Sequence, residues 1–389
     1  MRILASSNSL HTPTGYGVQM RGLLPRLQRA GHDIAMFGWY GLEGAPIQAG
    51  PIKMYPKGKH PYGADIIGHH ALDFKADVVL SLQDIWPLPE MFETRCGVPW
   101  MCWFPVDHYP APPLVVDRAR EASYPITYSQ FGQRAMKEAG VATAYIPHGI
   151  DLDVFKPGDK QAARKRLGIP ESIYLVDMVA ANKDVPSRKA LCENILAFKM
   201  FHEKHPEAML YLHTALFSPT GINLIAYLKT IGLGEDAVRC VDQYKYESGQ
   251  LSDNYMALVY QASDVHLGAA MGEGFGLPIV EAEACGCPVI TTNFSSMPEL
   301  TWYGIATEPL QPFYTPLDSW QAWVSVENVY QALETIYGWD SETHSRLRET
   351  ALQRIQDYEW DYLVETQWLP LLKKVEGEVG SGLEMVSFR

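Results

Sequence analysis

Apolar residues in this chain gather into short runs that end in polar, glycine-rich turns, and between the runs lie stretches with apolar positions three and four apart. Residues 2–5, 32–39, 77–82, 98–104 and 123–128 read as strands, with a loop-rich hairpin region over 46–62. A further strand at 144–147 precedes a second series at 174–181, 208–214, 238–243, 264–268 and 288–292, the last clear strand. Near-continuous apolar runs of this kind suit parallel strands covered on both faces. Helical spacing occupies 18–30, the stretch before Gly140, 160–168, 191–202, 252–262, a segment from Pro278 to Gly286, 320–337 and 341–372, whereas 377–389 has no periodicity and should be loosely ordered. Strand and helix alternate, which predicts an α/β fold built on doubly wound parallel sheets. At 389 residues the chain exceeds the roughly 250–300 at which one core splits, so two domains are expected. Pro147 and Pro157 bracket the passage between them.

Composition narrows the class. Hydrophobic residues are 47% and charged ones 20%, ordinary for a soluble enzyme. A net charge of −13 argues against nucleic acid as a partner. No stretch approaches 18 apolar residues, and MRILASSNS opens as a strand rather than a signal peptide, so a cytoplasmic location is expected. The six scattered cysteines read as reduced thiols, and the Cys285/Cys287 pair has no second ligand pair near it. His213 reads as a packed histidine. Arg21, Arg26 and Arg29 line one edge of helix 18–30; a solvated edge over core packing is the expected role, with peripheral contact to an anionic membrane as the rival.

The chemistry concentrates in residues 272–290, GEGFGLPIVEAEACGCPVI. Gly274 and Gly276 allow a ligand to lie against the main chain. Pro278 suits a first helical turn, which puts Glu281 at the start of a helix and Glu273 ahead of the turn. Carboxylates accept from hydroxyls, and free N–H groups at a helix N-terminus favour phosphate. A ligand carrying both groups fits. The string EGFGLPIVE resembles the E-x7-E signature of retaining GT-B glycosyltransferases, glycosyltransferase family 4 in particular.

That resemblance implies GT-B architecture: two Rossmann-like doubly wound domains facing across a cleft. The expected division is an acceptor-binding domain over 1–155, a nucleotide-sugar-binding domain over 156–358, and a terminal helix, 359–389, returning to the first domain. The implied activity is transfer of a hexose from a nucleotide-diphosphate sugar to a carbohydrate, lipid-linked or small-molecule hydroxyl. Glu281 would take the ribose hydroxyls, and Glu273 the sugar, aided by the main chain of Gly274, Phe275, Gly276 and Leu277. TPTGYG, with Gly15, Tyr16 and Gly17, resembles the family's N-terminal glycine loop facing the donor phosphates. In NKDVPSRKA, Lys189 matches the family lysine and Arg188 accompanies it, while Asn182 or Lys183 stands where an arginine is usual. IPHGIDLDVF resembles the domain-junction motif, with His148 where asparagine is common. The family histidine after the 98–104 strand meets Pro105 here, leaving Asp107 or His108 as the cleft residue; Asp84, past the end of strand 77–82, is a further candidate contact. Gln243 and Tyr244 fall where relatives hold the base. Neither a metal nor a cofactor beyond the donor itself is expected. The rivals are a catalytically silent sugar-nucleotide-binding subunit and an epimerase or phosphorylase of the same architecture.

Overall fold

The computed structural model of the chain describes residues 1–380. They divide into two units: one made of Met1–Gly149, Pro316–Ser319 and the segment from Asp357 on, the other of Ile150–Thr315 and Trp320–Gln356.

In the first unit the buried runs form strands β1 (Arg2–Asn8), β2 (Asp33–Tyr40), β3 (Ile47–Ala49), β4 (Ile52–Pro56), β5 (Val78–Leu82), β6 (Trp100–Phe104), β7 (Tyr124–Thr127) and β8 (Ala144–Tyr145). They pair in the order β3-β4-β2-β1-β5-β6-β7-β8, parallel except for the β3–β4 hairpin. The first helix starts at Gly15 rather than at 18, because Thr14 caps it by accepting from Gly17 N at 3.2 Å. Gly17 is required there: a Cβ would sit 2.4 Å from Thr12 Oγ1. Arg21 donates to the carbonyls of Leu10 and Thr12, and Arg26 to Asp361 at 2.6 Å. Arg29 lies 3.9 Å from the same carboxylate, so all three basic side chains on that helix edge meet groups of their own unit.

The last segment packs on this unit. Trp368 is fully buried and meets Trp103 edge-on, centroids 5.0 Å apart. The expectation of one helix over 341–372 needs correcting. A helix spans Ser341–Arg354, a tight turn spans Ile355–Tyr358, and helix resumes at Trp360 with a widened turn over Val364–Trp368 before Leu369–Gly380. The break falls where the chain leaves the second unit for the first, after Gln356, and beyond it Trp360, Leu363, Val364, Trp368 and Leu372 are buried. Residues 377–380 are helical; the remainder of the tail expected to be loosely ordered lies outside the described residues.

The second unit carries a fully parallel sheet of β9 (Tyr174–Val179), β10 (Ala208–His213), β11 (Val238–Cys240), β12 (Val265–Leu267), β13 (Val289–Thr292) and β14 (Gly304–Thr307), in the order β11-β10-β9-β12-β13-β14. The chain runs outward from β9 through β10 to β11, then returns to β12 on the other side of β9. The gap between the carboxyl ends of β9 and β12 is thus the topological switch point, the usual ligand site of such sheets. Strands continue past Thr292, contrary to expectation: β14 extends the sheet, and β15 (Gln311–Thr315) pairs with β16 (Ser319–Trp323) in a ribbon. Trp320 lies in β16, and the helix expected over 320–337 starts only at Val326, capped by Ser325. The tryptophans of SWQAW mimic a helical stripe although successive residues there face opposite sides of a ribbon.

Candidate functional site

The site is built at that switch point. Eight α-helices belong to the second unit among the described residues, and six begin at an Asp, Asn or Ser whose side chain accepts from the first turn. The two without such a cap are Leu191–Lys204, entered from Ala190 at φ 47°, and Leu277–Ala284, entered from Gly276 at φ 111°. Residues at both starts, with the ends of β9 and β12, line one pocket that includes Lys189, His266, Gly268, Glu273, Gly276 and Pro278. Gly276 is required by its backbone, and a Cβ there would also lie 2.7 Å from Ile279 Cδ1.

Two loops are knitted into the pocket rim. Met271 N donates to Arg188 O at 2.8 Å, Arg188 donates to Gly272 O, and Asn194 Nδ2 bridges Ala190 O (2.9 Å) and Ala269 O (2.8 Å). Glu273, almost fully buried, pairs with Lys189 and with Arg188, the latter at 3.2 Å. Burial by itself would raise the Glu273 carboxyl; the charges of Arg188 and Lys189 outweigh it and hold the group below its usual range. Two cations and one carboxylate leave the cluster with an excess positive charge beside the uncapped helix. From the other side, Ser295 Oγ accepts from Glu273 N at 2.9 Å, and Ser296 Oγ lies 2.8 Å from Glu273 O and 2.7 Å from Phe275 O. Nothing in the spacing of FSSMP marks these serines or Asn194; they are found only once the loops are folded together.

Glu281 lies in the first helical turns and accepts from Tyr260 at 3.1 Å. Burial, opposed by that hydrogen bond and helped by Asp253, raises its carboxyl to about 8. Below about pH 8 the folded chain keeps a proton that the unfolded chain releases near the usual 4.5. Its contribution to stability is therefore full at acid pH and falls as pH rises from about 4.5 to 8. Glu281→Gln should flatten that fall. Urea midpoints at pH 5 and pH 8 decide it: an identical drop in variant and wild type would remove Glu281 as the cause. Glu283, on the inner face, accepts from Trp302 N and Tyr303 N, is raised to about 8 by burial, and supplies a residual slope of the same sign in both proteins.

The other expected residues stand apart from this pocket's lining. Asn182 donates to Ala215 O and Ile222 O and accepts from Ile222 N, which commits its amide to the 215–222 loop. Gln243 likewise braces Thr214 O, Val241 O and Leu216 N. Lys183 and Tyr244 are exposed. In the first unit, Tyr16 Oη lies 3.5 Å from both Asp84 Oδ2 and Tyr128 Oη, and Asp107 Oδ1 is 2.7 Å from Nδ1 of the buried His108. His148 is a core residue: it stacks on Tyr128 at 4.1 Å, and burial lowers it to about 3. His213, the other packed histidine, is lowered to about 4 by burial. Among the described residues no three His, Cys, Asp or Glu side chains are grouped to hold a metal, and no helix is long and apolar enough to cross a membrane.

Comparison with known proteins gives the class. Over 97% of this chain and 100% of the other, the structure matches sucrose-phosphate synthase from Thermosynechococcus elongatus at 18% identity and TM-score 0.73. Anabaena HepE, solved in complex with UDP-glucose, matches over 96% and 100% at 17% identity and TM-score 0.70. The chain has the GT-B glycosyltransferase fold. Its residues 247–302, which carry Glu273 and Glu281, match the family model described as glycosyl transferases group 1. D-inositol 3-phosphate glycosyltransferase of Segniliparus rotundus is 29% identical over 174 residues, covering 41% of this chain and 36% of that protein. The enzyme of the same name from Geodermatophilus obscurus is 32% identical over 152 residues, covering 38% and 32%. The match thus spans about a third of the length of these curated relatives.

Proposed function

We propose that this protein is a retaining glycosyltransferase that moves a hexose from a nucleotide-diphosphate sugar to an acceptor hydroxyl without an essential metal. The observation that carries the reading is the switch-point pocket, where an uncapped helix N-terminus, Lys189, Arg188 and Glu273 converge. Departure of a diphosphate is the barrier in such a transfer, and preorganised positive charge aimed at the leaving group is the largest catalytic term the protein can supply. Lys189 and the first N–H groups of the Leu277–Ala284 helix provide it, and Arg188 adds a second cation. Glu281 accepts the ribose hydroxyls. Glu273 positions the sugar and, in the free protein, holds both cations in place. The acceptor proton passes to the departing phosphate on the same face, so no separate general base is needed.

HepE binds UDP and UDP-glucose, and the named relatives act on inositol phosphate, so a uridine nucleotide sugar and a phosphorylated or polyol acceptor are the first to try. The test is a thermal-shift panel of UDP, GDP, ADP and dTDP, followed by turnover of the matching sugars with EDTA present. A ligand at a hundredfold excess over Kd stabilises by about 2.7 kcal/mol. One clear responder, with transfer that survives EDTA and an axial product linkage from an axial donor, is the expected result; no responder contradicts the proposal. Gly15, Tyr16, Gly17, Asp107 and His108 are assigned to the reaction by resemblance alone. Asp107→Asn and His108→Ala should lower turnover with nucleotide affinity unchanged; wild-type turnover in both would release them from the reaction.

A further inference from the structure

The second unit buries an ionisable pair that this reading does not use. Asp177 on β9 and His266 on β12 are register partners across the parallel ladder. Both are fully buried, with His266 Nδ1 2.6 Å from Asp177 Oδ2. The strand residues beside them are Val176, Met178, Val265 and Leu267, as expected of strands covered on both faces. A polar pair inside such a run costs desolvation, and apolar replacements are often at least as stable. The cost is larger here because Asp177 Oδ1 and His266 Nε2 meet no hydrogen-bonding partner among the described residues.

The unpartnered nitrogen has a direction. His266 lines the switch-point pocket together with Lys189 and the start of the Leu277–Ala284 helix. Gly268 puts no side chain beside the buried ring: a Cβ there would stand 3.2 Å from Nε2 and 3.3 Å from Cδ2, closer than ordinary contact. An uncapped helix N-terminus, a lysine and a buried, unpartnered imidazole nitrogen thus border one space. Glu273 lines the same space, paired with Lys189 and Arg188.

We infer that His266, oriented by Asp177, is a ligand contact in this pocket and donates Nε2–H to a phosphoryl oxygen of the bound nucleoside diphosphate. The inference rests on the proposed donor site. A phosphoryl oxygen can only accept, so in the complex both ring nitrogens carry hydrogen: Nδ1–H stays on Asp177, whose carboxylate balances the ring's charge inside the sheet, and Nε2–H meets the ligand. Lys189, the helix N–H groups and His266 then hold the anion from three sides, and the missing side chain at Gly268 keeps the approach to the third unblocked.

Calorimetric titration of the full chain with the four nucleoside diphosphates and with inorganic pyrophosphate tests this. His266→Phe keeps the ring volume, Gly268→Ala blocks that approach, and Asp177→Leu combined with His266→Phe removes both polar groups so that neither is left buried alone. Each should lose at least about tenfold in affinity for the nucleotide that wild type binds and for pyrophosphate, with the double variant still folded by circular dichroism. In wild type carrying 15N-histidine, one Nε2 resonance should move on pyrophosphate addition, and that resonance should be missing from His266→Phe. If the folded double variant binds as wild type does, His266 is only a brace and the inference falls while the donor site stands. If wild type binds none of the probes, both fall. If the variants do not fold, the wild-type spectrum decides, and an unmoved Nε2 resonance on bound pyrophosphate overturns the inference.

Discussion

Lys189→Met should lower turnover of the cognate donor by about 10²–10³-fold, the roughly 3–4 kcal/mol typical of losing one preorganised donor to a developing anion. The side chain is held by Glu273, itself nearly buried, at the start of a helix with no side-chain cap. Its charge is already in place before a leaving group forms, so no reorganisation is needed during reaction. Methionine keeps the stem and removes the charge. Arg188 remains 3.2 Å from Glu273, so the carboxylate stays paired and the fold should survive. The discriminating measurement is kcat at saturating donor alongside nucleotide Kd. A variant that loses only affinity, with kcat intact, would make Lys189 a binding group with no role in leaving-group departure.

The largest effect on stability is expected at Trp368. It is fully buried, meets Trp103 edge-on, and Trp103 in turn donates from Nε1 to Ile146 O at 2.8 Å and packs against His148 at 4.6 Å. Trp368→Ala removes a large side chain from a set that has no room to collapse, which should cost about 3–5 kcal/mol. Trp368→Phe should cost clearly less. Urea denaturation followed by tryptophan fluorescence measures both; a loss below about 1 kcal/mol for the alanine variant would mean that the terminal segment does not contribute to the first unit's core.

The elements that the sequence disclosed are those whose signal is local. EGFGLPIVE places two carboxylates, two glycines and a helix-starting proline within nine residues, and the helix indeed runs Leu277–Ala284 with Gly286 at φ 81° beyond it. The parallel strands were equally visible, because burial on both faces leaves a near-continuous apolar run, broken by a single polar residue, in VVLSL or YLVDMV. What stayed hidden depends on contacts distant in sequence. Asp177 and His266 are 89 residues apart and become neighbours only through the β9–β12 register. Asn194, Ser295 and Ser296 look like any polar residue until the two loops meet. Asn182 and Gln243 illustrate the converse: both sit beside a strand end, as ligand contacts do, yet their amides are spent on holding neighbouring loops. The four residues of β14 carry too little pattern to show as a strand, and in β16 a tryptophan spacing that reads as helical outweighs five residues of alternation.

Hydrogen exchange with and without the responding nucleotide tests the central claim most directly, because it locates the ligand without assuming any residue's role. The account predicts slowed exchange at the amides of residues 187–190 and 272–279, the rim and helix start of the switch-point pocket. Protection confined to other parts of the chain, with these amides unchanged under saturating nucleotide, would contradict it.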